Sequence, residues 1–162
     1  MTEEKDICLP VGGGFVNVRV GAIIQKDGRL LMVCNDGGGY CYSVGGRIQF
    51  GESAEDAVRR EVREETGCDL TVDRLGFIHE GFFLDDRPST QGKLIYELAF
   101  YFYMKTPADF EPLRDGVAAE GRGERLGWVA PDTDKTMFPA FFRTELADPK
   151  PCVRHIVTDE RE

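Results

Sequence analysis

The sequence predicts one domain of the α/β (α+β) class, in which a mixed β-sheet is sandwiched between α-helices. Three observations support this prediction: several strand-like segments come first, one strongly marked helix follows, and further strands and a second helix come after it. The chain has 162 residues, enough to bury a core without disulfide or metal support. We therefore expect residues 1–162 to form a single domain.

The part of the chain before the marked helix has the pattern of strands joined by tight turns. Residues 15–24, "FVNVRVGAII", alternate and then become continuously apolar, as in a central strand. Asp27-Gly28 predicts a hairpin turn, which makes residues 29–34 the antiparallel partner. Residues 41–46 offer a short strand. The loop "NDGGG" at 35–39 is more typical of a flexible turn than of a phosphate cradle, because no helix start follows it.

The most strongly marked helix covers residues 53–67. A Ser-x-x-Asp capping pattern begins it and Gly67 is a stop signal. Residues 70–84 and 93–105 are rich in β-branched and aromatic residues, which predicts a pair of strands. The remaining predicted elements are a short strand at 124–130, a helix at 139–147 with Pro139 in its first turn, and a final strand at 153–158.

Composition and charge exclude several functional classes. A net charge of −9 disfavours nonspecific nucleic-acid binding, and no run of about eighteen apolar residues predicts a membrane span. The N-terminal residues lack the pattern of a secretion signal, so we expect a cytoplasmic protein. Five cysteines without a C-x-x-C pair argue against a disulfide framework and a zinc site. A polyanionic substrate would have to be captured through a cation.

Three glutamates of the predicted helix share its apolar face. At about 100° per residue, Glu61, Glu64 and Glu65 fall within an arc of roughly 100°. The same side carries Ala54, Ala57, Val58 and Val62, and the opposite side carries Glu55, Asp56, Arg59 and Arg63. Carboxylates on the packing side suffer desolvation and mutual repulsion. The helix therefore needs a compensating positive charge.

A divalent cation is the best candidate for that charge. Arg60 can reach Glu64 one turn away, but one guanidinium does not neutralise three carboxylates. Oxygen ligands without nearby His or Cys suit Mg²⁺, with Mn²⁺ as the alternative. Such an ion keeps coordination positions for phosphate oxygens. The residues thus predict Mg²⁺-dependent phosphate chemistry.

Residues 46–68, "GRIQFGESAEDAVRREVREETGC", resemble the Nudix box, G-x5-E-x7-R-E-U-x-E-E-x-G-U, in which U is a bulky aliphatic residue. The positions that match are Gly46, Glu52, Arg60, Glu61, Val62, Glu64, Glu65 and Gly67. Cys68 replaces the last aliphatic residue, and Val44 stands where the family commonly has a proline. The resemblance implies a Nudix fold over roughly residues 15–147.

The resemblance also implies an activity and roles for the matching residues. Family members use water to hydrolyse a diphosphate bond in a nucleoside diphosphate linked to another moiety, such as ADP-ribose, a nucleotide sugar or a (d)NTP. Glu61, Glu64, Glu65 and the Gly45 carbonyl would bind the metal. Arg60 would orient the glutamates, and Glu52 would support that network or a metal. A homodimer is common in the family.

The general base and the substrate stay open at this point. The base lies in the box in some members and on a later loop in others, which makes Glu120, Glu124 and Glu97 further candidates, also as extra ligands. Candidates for substrate contacts are Phe83, Arg87 and Tyr96 for a base or sugar, and Arg19 and Arg47 for phosphates. His79 and His155 form no motif.

A second hypothesis is a Nudix-like domain that binds nucleotide without cleaving it, as a sensor or interaction module. The intact Arg60-Glu61 and Glu64-Glu65 pairs favour the enzyme, because a binding domain need not keep them all.

Overall fold

A computed structural model describes residues 5–113 and 123–162 of the protein. The strands in these ranges are β1 (Cys8–Val11), β2 (Gly14–Ile23), β3 (Gln25–Lys26), β4 (Arg29–Asn35), β5 (Tyr40–Arg47), β6 (Val72–Leu84), β7 (Leu94–Met104), β8 (Glu124–Val129), β9 (Thr136–Phe138) and β10 (Arg154–Glu160). The helices are α1 (Ala54–Thr66) and α2 (Phe142–Glu145).

The strands form one mixed sheet. Its main path runs β10-β6-β7-β2-β5-β4-β3, with β1 beside β2, β8 beside β4 and β9 beside β5. β10 is parallel to β6, and β2 is parallel to β7, whereas β6 and β7 form an antiparallel pair. The predicted mixed sheet is thereby confirmed.

The sheet lies between the two helices and carries a core on each face. Side chains alternate along a strand, so that neighbours such as Leu31 and Met32 enter different clusters. The first cluster contains Val58 and Val62 of α1, and the second contains Phe142 of α2. The predicted arrangement of helices around a sheet is therefore correct.

Some elements differ from the sequence-based expectation. β1 and β9 were not expected, and β10 continues to Glu160, two residues beyond the predicted end. α2 has four residues, and Pro139 precedes it instead of occupying its first turn. The burial of Phe142 and the ring contacts of Phe141 with Phe77 fix this segment, so tertiary packing outweighs its helical pattern. Neither helix among the described residues has the length and apolar character needed to span a membrane.

Candidate active site

Helix α1 is fixed in place at both ends and along one side. The Ser53 hydroxyl accepts the Asp56 N–H at 3.1 Å, and Gly67 adopts a left-handed conformation with φ 74°. Both caps match the sequence-based prediction. Val58 and Val62 are fully buried against the sheet. The glutamates between and beside these valines are therefore held at defined positions.

Glu61 lies directly over the backbone of β5. Its side chain is 14% exposed, and Arg60 Nη1 donates to its Oε1 at 2.6 Å. A Cβ atom at Gly46 would lie 2.5 Å from Glu61 Cδ. Burial raises the pKa of Glu61, while the contact with Arg60 acts in the opposite direction. The first glycine of the box thus makes room for a partly desolvated carboxylate.

Arg60 lies at the centre of an acidic network. Its Nη2 donates to Glu52 Oε1 at 2.6 Å and to the Arg47 carbonyl at 3.1 Å. The Glu52 carboxylate also accepts the Gln49 N–H at 2.8 Å. The Arg60 guanidinium holds the pKa of Glu52 below its usual range. This network fixes the loop before α1 to the helix.

Glu65 is the most buried carboxylate of the cluster. Its Oε1 accepts the Gly45 N–H at 3.3 Å, whereas Oε2 is buried without a hydrogen-bond partner in the part of the chain that the structure describes. Burial raises the pKa of Glu65 to about 8, although the Gly45 bond lowers it. At Gly45, with φ 153°, a Cβ atom would lie 2.1 Å from the Val20 carbonyl oxygen. Only glycine at position 45 allows the β5 backbone to lie this close to β2 while its N–H donates to Glu65.

Glu64 lies at the margin of the contact between helix and sheet. Its side chain is 54% exposed, and its Oε2 lies 3.6 Å from Arg60 Nη1. The helical wheel placed it on the packing face, which is wrong for Glu64. Its position at the end of the arc leaves it beside the solvent. Glu61 and Glu65, nearer to the apolar residues, are partly buried, in agreement with the wheel.

The donor set fits a hard divalent cation. It comprises carboxylate oxygens and the Gly45 carbonyl, with one buried carboxylate oxygen, Glu65 Oε2, that has no partner among the described residues. As the side chains stand, no three His, Cys, Asp or Glu in residues 5–113 and 123–162 converge as an ion would require. Arg60 holds Glu61 Oε1 in this arrangement. A cation would have to share or replace that contact.

A cavity of about 800 Å³ lies near this cluster, although neither Gly45 nor any of the three glutamates lines it. It extends from Arg19, Tyr42 and Glu124 to His79 and Thr158 on the outer strands. The positive charge of Arg19 partly offsets the burial that raises the pKa of Glu61 and Glu65. The cavity and the carboxylates therefore share one electrostatic environment.

Several residues that the sequence singled out line this cavity. Glu97 accepts a hydrogen bond from Asn17 Nδ2 at 3.0 Å, and Arg19 Nη1 lies 4.0 Å from its Oε2. Glu124 accepts the Tyr42 hydroxyl at 2.6 Å. Phe83 is also part of the wall. The structure thus brings Arg19, Glu97, Glu124 and Phe83 to one space.

Other predicted substrate residues lie elsewhere. Arg87 Nη2 is 2.6 Å from Asp85 Oδ2 in the loop between β6 and β7. Tyr96 donates to Glu80 at 2.7 Å, and its position between Ile95 and Glu97 places it on the other face of β7. Neither residue lines the cavity.

The last two predicted residues are Arg47 and Glu120. Arg47 Nε donates to Asn17 Oδ1 at 2.9 Å, beside the network of Arg60. Glu120 falls outside the residues that the structure describes.

Sequence reasoning missed His79, which the structure places in the cavity wall. The residue is 8% exposed, and its Nε2 lies 2.8 Å from Thr158 Oγ1. Its Nδ1 is buried without a hydrogen-bond partner among the described residues. The available signal was its place between Phe77 and Gly81 on one face of a strand. The contact with Thr158 depends on parallel pairing between distant segments, which local patterns do not reveal.

Comparison with known proteins gives a family match and several relatives. The model of the NUDIX domain matches residues 16–140. A MutT-like protein of Streptomyces ambofaciens is 37% identical over 60 residues, which cover 37% of this chain and 39% of that protein. An ADP-ribose pyrophosphatase of Methanocaldococcus jannaschii is 40% identical over 53 residues, 31% of either protein. The matched stretches thus span well under half of these relatives.

Solved structures share the fold. The crystal structure of a mutator MutT protein from Bacillus halodurans has a TM-score of 0.59 at 20% identity, covering 86% of this chain and 89% of that one. An ADP-ribose pyrophosphatase from Streptococcus suis has a TM-score of 0.54 at 17% identity, covering 88% and 98%. At sequence identities this low, the similarity to these two structures shows a shared fold alone.

Proposed function

Because the chain belongs to the Nudix family, we propose that it is a pyrophosphohydrolase. In this proposal water cleaves a diphosphate bond in a nucleoside diphosphate that is linked to another moiety. The observation that carries the proposal is the buried Glu65 Oε2, which has no hydrogen-bond partner among the described residues. It belongs to a carboxylate cluster near Arg19, which lines a cavity of about 800 Å³. A buried carboxylate oxygen without a donor costs free energy unless a ligand engages it.

The proposed cofactor is Mg²⁺, with Mn²⁺ as the alternative. Glu61, Glu64, Glu65 and the Gly45 carbonyl would hold it. When bound, such an ion offsets phosphate charge, polarises phosphorus and lowers the pKa of a water molecule. Arg60 is the proposed positioning residue, because its guanidinium joins Glu52 to Glu61. Without the Arg60 guanidinium between them, the carboxylates of Glu52 and Glu61 would repel each other.

Glu124 is our preferred candidate for the general base among the described residues. Its carboxylate lines the cavity and is oriented by the hydroxyls of Tyr42 and Tyr40. Burial raises the pKa of Tyr42, and its hydrogen bond to Glu124 and the charges of Glu124 and Glu65 add to this effect. Glu97 is the second candidate, although Asn17 and Arg19 already engage it. Glu120 keeps its place as a sequence-based candidate.

The substrate class follows from the family and stays broad. The named relatives include an ADP-ribose pyrophosphatase and a MutT-like protein, each matched over a limited stretch. We therefore propose a nucleoside diphosphate derivative, with ADP-ribose, nucleotide sugars and nucleoside triphosphates as the compounds to test. The free cysteine thiols of the protein suit a reducing compartment such as the cytoplasm, which is the location we propose.

A substrate panel tests this proposal. The protein is incubated with ADP-ribose, ADP-glucose, UDP-glucose and nucleoside triphosphates, with and without Mg²⁺ or Mn²⁺. Phosphate release is measured after phosphatase coupling. We expect metal-dependent turnover of at least one compound, and no loss of it in the control variant Glu55→Gln, which alters an exposed carboxylate of α1. Tight nucleotide binding without any turnover would instead support a binding module.

A further inference from the structure

One position of the cavity wall, Gly81, lacks a side chain. In the register of the sheet, Gly81 on β6 is paired with Glu97 on β7 and with Thr158 on β10. A Cβ atom at Gly81 would lie 3.3 Å from His79 Cε1 and 3.8 Å from Thr158 Oγ1. The His79 ring therefore lies close over this glycine, and a larger residue at this position would crowd His79.

Aromatic side chains form much of the cavity wall. Phe83, Phe138, Phe141 and Tyr101 line it. The ring of Phe82 stacks on Tyr96 on the other face of the sheet. Aromatic faces stack well on nucleobases, whatever the base. The cavity volume of about 800 Å³ lies within the usual range for small-molecule sites. The volume and the aromatic residues of the lining thus suit a nucleoside.

Two polar groups of the wall have unused hydrogen-bonding capacity. His79 is more than nine-tenths buried, and its Nδ1 has no hydrogen-bond partner in the described ranges. Glu160 is an exposed residue at the edge of the cavity and makes no hydrogen bond or ion pair within residues 5–113 and 123–162. Glu97 and Glu124, by contrast, are held by Asn17 and Tyr42.

The register of β10 directs Glu160 to the cavity. Alternate residues of a strand share a face, and Ile156 packs in the core beneath α2. Thr158 and Glu160 follow on the same face, and Glu160 is paired with Phe83. An ionised carboxylate accepts hydrogen bonds and cannot donate them. This edge of the cavity consequently favours a ligand that presents a hydrogen-bond donor to Glu160.

From these contacts we infer that the cavity binds the nucleobase of the substrate and that Glu160 selects bases with an exocyclic amino group. Adenine, cytosine and guanine present N–H₂ donors, whereas the one donor of uracil, its N3–H, lies between two carbonyl oxygens. A carbonyl oxygen facing the Glu160 carboxylate would place two acceptors against each other. The inference rests on the proposed function, because it names which nucleoside the site receives.

The selecting strand lies outside the residues that the family model matches. That match ends at residue 140, and β10 begins at Arg154. Base preference would then come from a strand outside the matched residues.

Nucleoside binding tests the inference without metal or diphosphate. Adenosine, cytidine and uridine are titrated into the metal-free protein, and dissociation constants are obtained from ¹H–¹⁵N chemical shifts. We expect adenosine and cytidine to bind about tenfold more tightly than uridine, as one hydrogen bond to a charged group would give. In Glu160→Gln, whose amide can also donate, the preference should shrink to about threefold or less. Glu55→Gln, which makes the same change on α1, should keep it.

The outcomes separate the inference from the proposed function. Equal binding of adenosine and uridine by the unaltered protein, or an undiminished preference in Glu160→Gln, would overturn the inference. A preference for amino-bearing nucleosides in a protein that hydrolyses nothing would support it while the proposed hydrolysis fails. If hydrolysis occurs, the kcat/KM ratio of ADP-glucose to UDP-glucose should follow the same order. These two compounds differ only in the base.

Discussion

The carboxylate of Glu61 packs against the backbone of Gly46, where a Cβ atom would lie 2.5 Å from Glu61 Cδ. Gly46→Ala should therefore displace the carboxylate while leaving the strand intact, because the end of a side chain can move. We expect kcat to fall by about a hundredfold, as small misplacements of catalytic groups do. Steady-state kinetics and thermal unfolding measure the two effects.

The control for this change is Gly37→Ala. The nearest atom to a Cβ at Gly37 is Asn35 Oδ1 at 3.6 Å, an ordinary contact. Kinetics unchanged in Gly46→Ala would show that Glu61 does not need its present position.

Glu64 is 54% exposed, so its replacement should affect chemistry far more than folding. For Glu64→Gln we expect kcat to drop on the order of 10²–10³-fold through loss of charge at the metal. The free energy of unfolding should change by less than about 0.5 kcal/mol, as for most surface substitutions. Retained activity would remove Glu64 from the proposed ligands.

The two described candidates for the general base can be separated by their variants. If Glu124 takes the proton from water, Glu124→Gln should lower kcat by about 10²–10⁴-fold. Mg²⁺ affinity, measured by titration calorimetry, should stay nearly the same. The matched change Glu97→Gln should cost much less in kcat. The reverse order would assign the base to Glu97.

Metal binding should depend on pH through Glu65. Burial raises the pKa of this carboxyl to about 8, so it is largely protonated at neutral pH and must release its proton to bind a cation. At pH values below that pKa, each increase of one pH unit should raise the Mg²⁺ affinity by up to about tenfold. Calorimetry in buffers of different ionisation enthalpy should detect proton release at neutral pH. Glu65→Gln should abolish that release, and release that persists would exclude Glu65 as its source.

Stability in mild acid should depend on His79. Burial lowers the pKa of His79, against the opposing charges of Glu97 and Glu160. The unfolded chain therefore binds more protons, and the free energy of unfolding decreases as pH falls below about 6.5. Denaturant titrations at several pH values should show that the free energy of unfolding depends less on pH in His79→Gln than in the unaltered protein. The exposed His155, replaced by Gln, should not reduce this dependence; an unchanged dependence in His79→Gln would contradict the assignment.

Helix α1 shows what local pattern could predict. Its cap at Ser53, its stop at Gly67 and the burial of Val58 and Val62 follow from spacing and side-chain chemistry within a few residues. The same spacing indicated a charged site at Glu61 and Glu65, because carboxylates on a packing face need compensation. Glu64 stands at the end of the arc of glutamates, and the wheel does not show how far around the helix the contact with the sheet extends.

The segment after residue 138 shows where local pattern was insufficient. A helix over 139–147 fits its composition, yet α2 has four residues because Phe141 and Phe142 pack into the aromatic core of the sheet. Arg87 and Tyr96 carried suitable chemistry for a substrate site, but an ion pair with Asp85 and the alternation of β7 keep them outside the cavity.

The sequence by itself determined the fold class, the position of α1 and the chemistry of the carboxylate cluster, because these depend on short-range periodicity and on residue type. Only the tertiary structure decided which residues share the cavity. His79, Gly81, Glu97, Thr158 and Glu160 meet there through β6, β7 and β10. That meeting depends on strand order and register, which contacts between distant segments fix through burial of both sheet faces.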